Sequence, residues 1–194
     1  TKENKQILIK KAKAKNEISI SKLAEKNAKQ ALKQKLIQSD TNNNLIDALT
    51  KKFKLKNNLE LIEVYDNSHI QGSDAIGALI CFGNEGFVKK RYRKFNIKDE
   101  EIKGDDYGMM KEVLFRRFSK AVKEKAGSLS LPDLILIDGG KGQYSVSREV
   151  LNELGLHDLP ILAVAKGKKR NAGEEKIYHE GKEYDLRKND PLLF

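Results

Sequence analysis

Apolar residues in the first third of the chain fall at helical spacing. Over residues 17–37, Ile20, Leu23, Ala24, Ala28, Ala31, Leu32 and Leu36 recur mainly at i, i+3 and i+4, which predicts an amphipathic helix. The polar stretch at residues 39–44 reads as a break. A short second helix follows, with Leu45, Ile46, Leu49 and Phe53 on one face and Asn57-Asn58 at its end. The pattern changes at Leu59. Residues 61–65 and 75–82 are apolar runs rich in β-formers, and residues 83–86 form a turn between the second run and a third. In that third run, residues 87–97, Phe87, Tyr92 and Phe95 are interleaved with Lys and Arg, which predicts a further strand and an antiparallel hairpin. Asp105 then opens a helix to about residue 125, with Met109, Val113, Leu114, Phe118 and Val122 on one face. Residues 132–137 and 160–165 are near-continuously apolar, the mark of strands buried on both sides. Residues 141–154 between them read as helix, and residues 176–186 as a small hairpin around Glu180-Gly181.

The order is therefore β-β-β-α-β-α-β. Three strands able to form a meander precede strands separated by helices, so an α/β fold is expected: a mixed sheet flanked by helices, in the order of ribonuclease H-like folds. The expected division is a helical segment over residues 1–58 and the α/β domain over residues 59–194. Length agrees, since 194 residues suit one sizeable domain with a small appendage.

Charge is distributed unevenly. The net charge is +10, yet residues 1–60 hold 15 Lys, no Arg and six acidic residues, so nearly all the excess lies there. Such an arm attracts phosphate through counterion release, or is simply a solvated helix face. With 14 Gly and three Pro the chain is not collagenous. The single Cys81 excludes a disulfide framework and a cysteine-only zinc site, and fits a reducing, cytoplasmic setting. No apolar run approaches the roughly 18–20 residues that span a bilayer, so no membrane role is expected. The chain opens at Thr1 and stops at Phe194 within an apolar run, and is read as a fragment.

Three carboxylates are candidates for chemistry. Asp66 stands at the end of the first strand in Val64-Tyr65-Asp66-Asn67-Ser68-His69. Asp106 stands at the start of the long helix in Gly104-Asp105-Asp106-Tyr107. Asp138 ends the fourth strand, before Gly139-Gly140-Lys141-Gly142-Gln143. Carboxylates that end apolar strands are partly desolvated, and three together cannot all stay ionised without a counter-charge. Divalent Mg²⁺ or Mn²⁺ supplies it, since both take oxygen ligands. Two such ions about 3.5–4 Å apart stabilise the attacking and leaving oxygens of a phosphodiester displacement. Plainer roles are open to each: Asp66 and Asp138 as turn residues, Asp105 or Asp106 as a helix N-cap.

Basic residues near these carboxylates are candidate phosphate or nucleic-acid contacts. Lys141 sits in a glycine-rich strand-to-helix turn, a phosphate-site candidate that matches neither GxxxxGK[ST] nor GxGxxG. Lys166, Lys168, Lys169 and Arg170 form a compact basic loop after the fifth strand, suited to backbone contacts or to solvent. Arg91, Arg93 and Lys94, among Tyr92 and Phe95, either line a groove or cover the outside of an edge hairpin. His69 and Asp105 are candidates for supporting the carboxylates; a structural role is open to His69 too. His157 and His179 are assigned nothing.

Six motifs in order carry a family resemblance: residues 65–69 (Tyr-Asp-Asn-Ser-His), 92–97 (Tyr-Arg-Lys-Phe-Asn-Ile), 104–107 (Gly-Asp-Asp-Tyr), 114–118 (Leu-Phe-Arg-Arg-Phe), 132–143, and 165–167 (Ala-Lys-Gly). From about Leu61 to Phe194 the chain resembles the C-terminal endonuclease domain of the UvrC family of bacterial nucleotide excision repair. The resemblance implies a ribonuclease H-like fold and a metal-dependent cut 5′ of a lesion in double-stranded DNA, made together with UvrB. It implies that Asp66, Asp106 and Asp138 are catalytic and metal-binding, with Asp106 preferred to Asp105. The family's histidine, on a later helix, is matched by none of His69, His157 or His179 and is expected beyond Phe194, so the 194-residue chain is expected to cut poorly. The family's other modules, for the 3′ cut, for UvrB and the helix-hairpin-helix, are not matched either. Two other readings stay open: a binding module of the same fold without activity, and a ribonuclease H-like nuclease acting on RNA–DNA hybrids or junctions.

Overall fold

The computed structural model describes residues 13–55, 58–70, 73–123, 130–167, 175–186, 190 and 192. The chain forms two compact units, Thr1–Thr41 and Asn42–Phe194. The described residues of the first unit belong to the N-terminal part of helix α1 (Lys15–Phe53) and the two residues before it. Its first turn is closed by Glu17, whose carboxylate accepts hydrogen bonds from the amides of Lys13 and Ala14 at 3.0 and 3.1 Å. Those two bonds hold the Glu17 carboxyl below its usual range. The expected break at residues 39–44 does not occur, because α1 is continuous through it. The stretch Asp40-Thr41-Asn42-Asn43-Asn44 contains neither Gly nor Pro. Asn, Asp and Thr each cost only about 0.7 kcal/mol or less in a helix, so a polar run weakens a helix without ending it.

The second unit is built on an eight-stranded sheet: β1 (Leu61–Ile70), β2 (Ser73–Gly83), β3 (Gly86–Phe87), β4 (Arg93–Asn96), β5 (Leu134–Asp138), β6 (Ile161–Ala165), β7 (Lys176–His179) and β8 (Lys182–Asp185). The spatial order is β3-β2-β1-β5-β6-β7-β8, with β4 also paired to β2. β1 runs parallel to β5, and β5 to β6; the remaining pairs are antiparallel. Mixed pairing with two central crossovers agrees with the expected ribonuclease H-like arrangement. Helices α2 (Asp106–Lys123) and α3 (Lys141–Glu153) supply the crossovers. The strand expected over residues 87–97 is split. Residues Lys89–Arg91 form a 3₁₀ turn between β3 and β4, so Phe87 pairs with one end of β2 and Phe95 with its middle. The closing hairpin turns at Glu180-Gly181, both at positive φ (47° and 72°), the primed turn that suits twisted strands.

Two cores sandwich the sheet. On one face Tyr65, Leu79, Ile135, Ile137 and Ala163 meet Met109, Met110, Val113, Leu114 and Phe118 of α2 and Val150 and Leu151 of α3. Val113 comes so close to β2 that a Cβ on Gly77 would lie 2.3 Å from its Cγ2, which is why this strand position is glycine. On the other face Phe53, from the last turn of α1, packs with Leu59, Ile62, Leu134, Leu162, Ile177 and Leu186. Period-two alternation sorts the strands accordingly. Leu61, Glu63 and Tyr65 face α2, whereas Ile62 and Val64 face the other way. Ile135 and Ile137 face α2, whereas Leu134 and Leu136 do not. One charged pair sits inside the first core. Glu63 (1% exposed) meets Arg117 (5% exposed) at 2.6 Å, and also accepts the Tyr65 hydroxyl proton at 2.6 Å. Burial and the Glu63 carboxylate push the Tyr65 hydroxyl well above the usual tyrosine range, so it stays protonated and donates.

Candidate active site

The alternation that sorts the core also brings two aspartates together. In the β1–β5 register Tyr65 stands opposite Ile137. One residue further along each strand are Asp66 and Asp138. Both share the parity of Val64 and Leu136, so both emerge on the face away from α2, side by side where β1 and β5 diverge. Asp138 is the last residue of β5. Asp66 is not a strand end, contrary to the expectation from the apolar run: β1 continues to Ile70 because β2 remains paired with it, with Asp66 opposite Ala78. Adjacent strands lie about 4.8 Å apart, which sets the scale of the carboxylate pair.

Their charges interact. The Asp66 carboxyl is raised above its ordinary range, first by burial and then by the Asp138 carboxylate, with a smaller contribution from Asp106. Lys166 acts in the opposite direction. Its ammonium donates to Asp138 Oδ2 at 2.8 Å, from the loop directly after β6. Both partners of that pair are partly exposed, so the bridge itself adds little stability. A cation is therefore already drawn to this edge of the sheet.

Asp106 approaches from the other face. It opens α2, and its carbonyl accepts from the side-chain Nδ2 of Asn67 at 3.5 Å. Its neighbour Asp105 caps the helix: Asp105 Oδ1 accepts from the Tyr107 amide at 3.0 Å. The residue expected to support the site is thus the N-cap, and Asp106 is left as the candidate ligand. Because Asp66 and Asp138 leave one face and Asp106 starts from the other, Asp106 can approach the other two only around the sheet edge. Among the described residues no group of three or more His, Cys, Asp or Glu side chains is close enough to hold a metal ion as it stands.

The glycine-rich turn is used for packing. The Gly140 amide donates to Gln143 Oε1 at 3.0 Å, which caps α3 from within. A Cβ on Gly142 would fall 2.4 Å from the Tyr107 ring, so this glycine lets Tyr107 rest on α3 and ties the start of α2, with Asp106, to the start of α3. Lys141, the first residue of α3, is exposed. The basic loop candidates Lys168, Lys169 and Arg170, and the His69 side chain, lie outside the described residues. Sequence reasoning misses Glu63, the only charge within the apolar run 61–65; its signal is a carboxylate one alternation step from Tyr65.

Asp66 gives a thermodynamic test. A carboxyl whose folded pKa is raised binds its proton more tightly in the native state. Its stabilising effect is present below the unfolded pKa and is lost as pH rises through the folded one. At neutral pH without metal, Asp66 therefore works against the fold. Asp66→Asn is expected to raise the metal-free Tm slightly at pH 7, since solvent screens this exposed carboxyl, and to change it less at pH 3. Calorimetry at the two pH values checks this.

Comparison with known proteins supplies independent findings. A sequence model of the family described as "UvrC RNAse H endonuclease domain" matches residues 50–194. The chain is 52% identical over 177 residues to the UvrABC system protein C of Hyphomonas neptunium, covering 88% of this chain and 29% of that protein. The corresponding protein of Cereibacter sphaeroides is 48% identical over 175 residues, covering 88% and 28%. That of Caulobacter vibrioides is 44% identical over 191 residues, covering 92% and 30%. The chain thus spans under a third of the curated relatives it matches. Among solved structures, human endonuclease V aligns at a TM-score of 0.40 and 20% identity, over 56% of this chain and 46% of that one.

Proposed function

The chain belongs to the UvrC RNase H endonuclease domain family, and on that premise we propose that it hydrolyses a DNA phosphodiester with the help of Mg²⁺ or Mn²⁺. In this reading the cut is the one made 5′ of a lesion during nucleotide excision repair, on damaged double-stranded DNA and in company with UvrB. The observation that carries the reading is the Asp66–Asp138 pair at the point where β1 and β5 diverge, with Asp106 within electrostatic reach.

The donor set fits a hard divalent cation: oxygen ligands only, mutually repelling, with Lys166 already bound to one of them. Asp66, Asp138 and Asp106 would hold the ion. When bound, it supplies Lewis-acid stabilisation of phosphate oxygens and a more acidic water. The protein's own residues do the rest. Lys166 Nζ, once released from Asp138 Oδ2, would neutralise a phosphate oxygen. The Tyr107–Gly142 contact holds α2 against α3, which sets the reach of Asp106. Lys141, Lys168, Lys169 and Arg170 add backbone contacts without base reading.

The loose spacing of the acidic group favours one second reading, a DNA-binding module of the same fold without activity of its own. Nicking of a duplex carrying one bulky lesion separates the two, measured with Mn²⁺, with Mg²⁺ and with EDTA, in the presence and absence of UvrB. Metal-dependent nicking on the 5′ side is expected, and is expected to be slow in this chain because none of His69, His157 or His179 matches the family's histidine. Duplex binding with no nicking under any of these conditions would leave the binding module.

A further inference from the structure

A second site lies away from the aspartates. Between the C-terminal half of α2 and the β4 edge is a cleft of about 330 Å³, lined by Arg91, Arg93, Arg116, Arg117, Lys120 and Phe95. One carboxylate, Glu63, lines it with these five cations. Four of the cations are held by oriented contacts. Arg91 Nη2 donates to the Ser130 hydroxyl at 2.9 Å, and Arg117 Nη2 to the Ser130 carbonyl at 3.0 Å. Arg93 Nη1 donates to the carbonyls of Lys90 and Tyr92 at 3.1 and 2.8 Å. Arg116 Nη1 donates to the Asn96 carbonyl and to Glu112 Oε1, both at 2.8 Å, and the guanidinium lies over the Phe95 ring, so this cation is already paired with a carboxylate and adds little to the net charge of the cleft. Each guanidinium carries five N–H donors, so these bonds fix position and leave donors over.

Arg117 is the decisive member. It is 5% exposed, and its Nε and Nη2 are satisfied by Glu63 and Ser130, yet its buried Nη1 has no hydrogen-bond partner among the described residues. A buried guanidinium nitrogen without an acceptor is costly, and an anion in the cleft supplies one. Guanidiniums fixed in advance pair with phosphate oxygens at little ordering cost. Alternation along β4 sorts the same motif: Arg93 and Phe95 line this cleft, whereas Lys94 and Asn96 line a separate one with Lys103.

We propose that this cleft binds a backbone phosphate of the DNA, at a distance from the phosphate being cut. Arg117 lies eleven residues along α2 from Asp106, about 16 Å at 1.5 Å per residue. That is the span of about five base-pair steps of a duplex at 3.4 Å each. The cleft sets where along the strand the aspartates meet the backbone. This inference rests on the reading of the chain as a DNA endonuclease.

The test uses the exposed members, so that the buried pair is left intact. Arg93→Glu with Lys120→Glu is compared with Lys98→Glu with Lys182→Glu, which makes the same charge change elsewhere. Fluorescence anisotropy of a labelled 20-base-pair duplex is recorded with EDTA over a range of salt. The cleft variant is expected to bind about tenfold more weakly or worse, with a salt slope smaller by about one for each phosphate no longer neutralised, while the control stays within about twofold. Equal weakening in the two variants would overturn the proposal. A second arm titrates inorganic phosphate and follows the arginine Nε–H signals by NMR. Phosphate shifts there with unchanged duplex affinity would make this an ion site, and overturn its assignment to DNA. If the cleft variant keeps wild-type duplex binding, the cleft proposal fails and the endonuclease reading stands. If the wild type binds no duplex at low salt, both fail.

Discussion

Replacing Asp138 with Asn is expected to lower metal-dependent DNA nicking by about a thousandfold while leaving the protein folded. Asp138 ends β5, is partly exposed and touches Lys166 rather than the core, so loss of its charge disturbs little packing. Its removal takes away one of the two adjacent carboxylates and the negative charge that attracts a cation. Metal stabilisation of a reacting phosphate is worth several kcal/mol, and each 1.4 kcal/mol is about tenfold in rate. Asp66→Asn is expected to behave alike. Single-turnover nicking with saturating Mn²⁺, with circular dichroism to verify folding, reads the effect. Near-normal rates for Asp138→Asn would remove that residue from the site.

The largest effect on stability is expected at Glu63. Substitution by Ala leaves Arg117 charged and buried, and takes the acceptor from the Tyr65 hydroxyl as well. Breaking a buried ion pair from one side costs about 3–5 kcal/mol, or roughly 10 °C or more in Tm for a chain of this size. The cause is the stranded charge, not the missing attraction. Glu63→Met combined with Arg117→Met is therefore expected to recover most of the deficit, since well-packed apolar pairs replace buried ion pairs at little cost. A double variant no more stable than Glu63→Ala would mean that shape, rather than charge, is what Glu63 contributes. The double variant also removes Arg117 from the cationic cleft, so its folding can be recovered while its duplex binding falls.

The central strands and two crossover helices are legible in the sequence because burial there is regular. Residues 132–137 and 160–165 are apolar almost throughout, and α2 repeats its apolar face from Met109 to Phe118, about three turns. Asp66 and Asp138 are legible for the same reason: each interrupts an apolar strand at a fixed step, and parity alone puts them on one face. Elsewhere the signal is weaker. The Asn-rich stretch of α1 has the composition of a loop, whereas nothing in it forbids helical backbone. The residues after Phe87 alternate like a strand, but Lys89–Arg91 turn the chain so that Arg93–Asn96 can return to β2. How nearly Asp106 meets the other two depends on the reach of α2 around the sheet edge, a tertiary distance that no local pattern encodes. Arg117 and Glu63 are 54 residues apart and pair only once α2 lies on β1. Arg91, Arg93 and Lys94 are indistinguishable in sequence, and only the pleat of β4 separates Arg93 from Lys94.

The measurement closest to the central claim asks where a cation binds, independently of activity. Amide NMR spectra of the 194-residue chain are recorded with substoichiometric Mn²⁺, and repeated for Asp66→Asn combined with Asp138→Asn. Paramagnetic broadening is expected first where β1 and β5 diverge and at the start of α2, around Asp66, Asp138 and Asp106, and is expected to vanish in the double variant. Broadening that is scattered over surface carboxylates, or that persists unchanged in the double variant, would contradict the assignment of this edge of the sheet as the metal-dependent site.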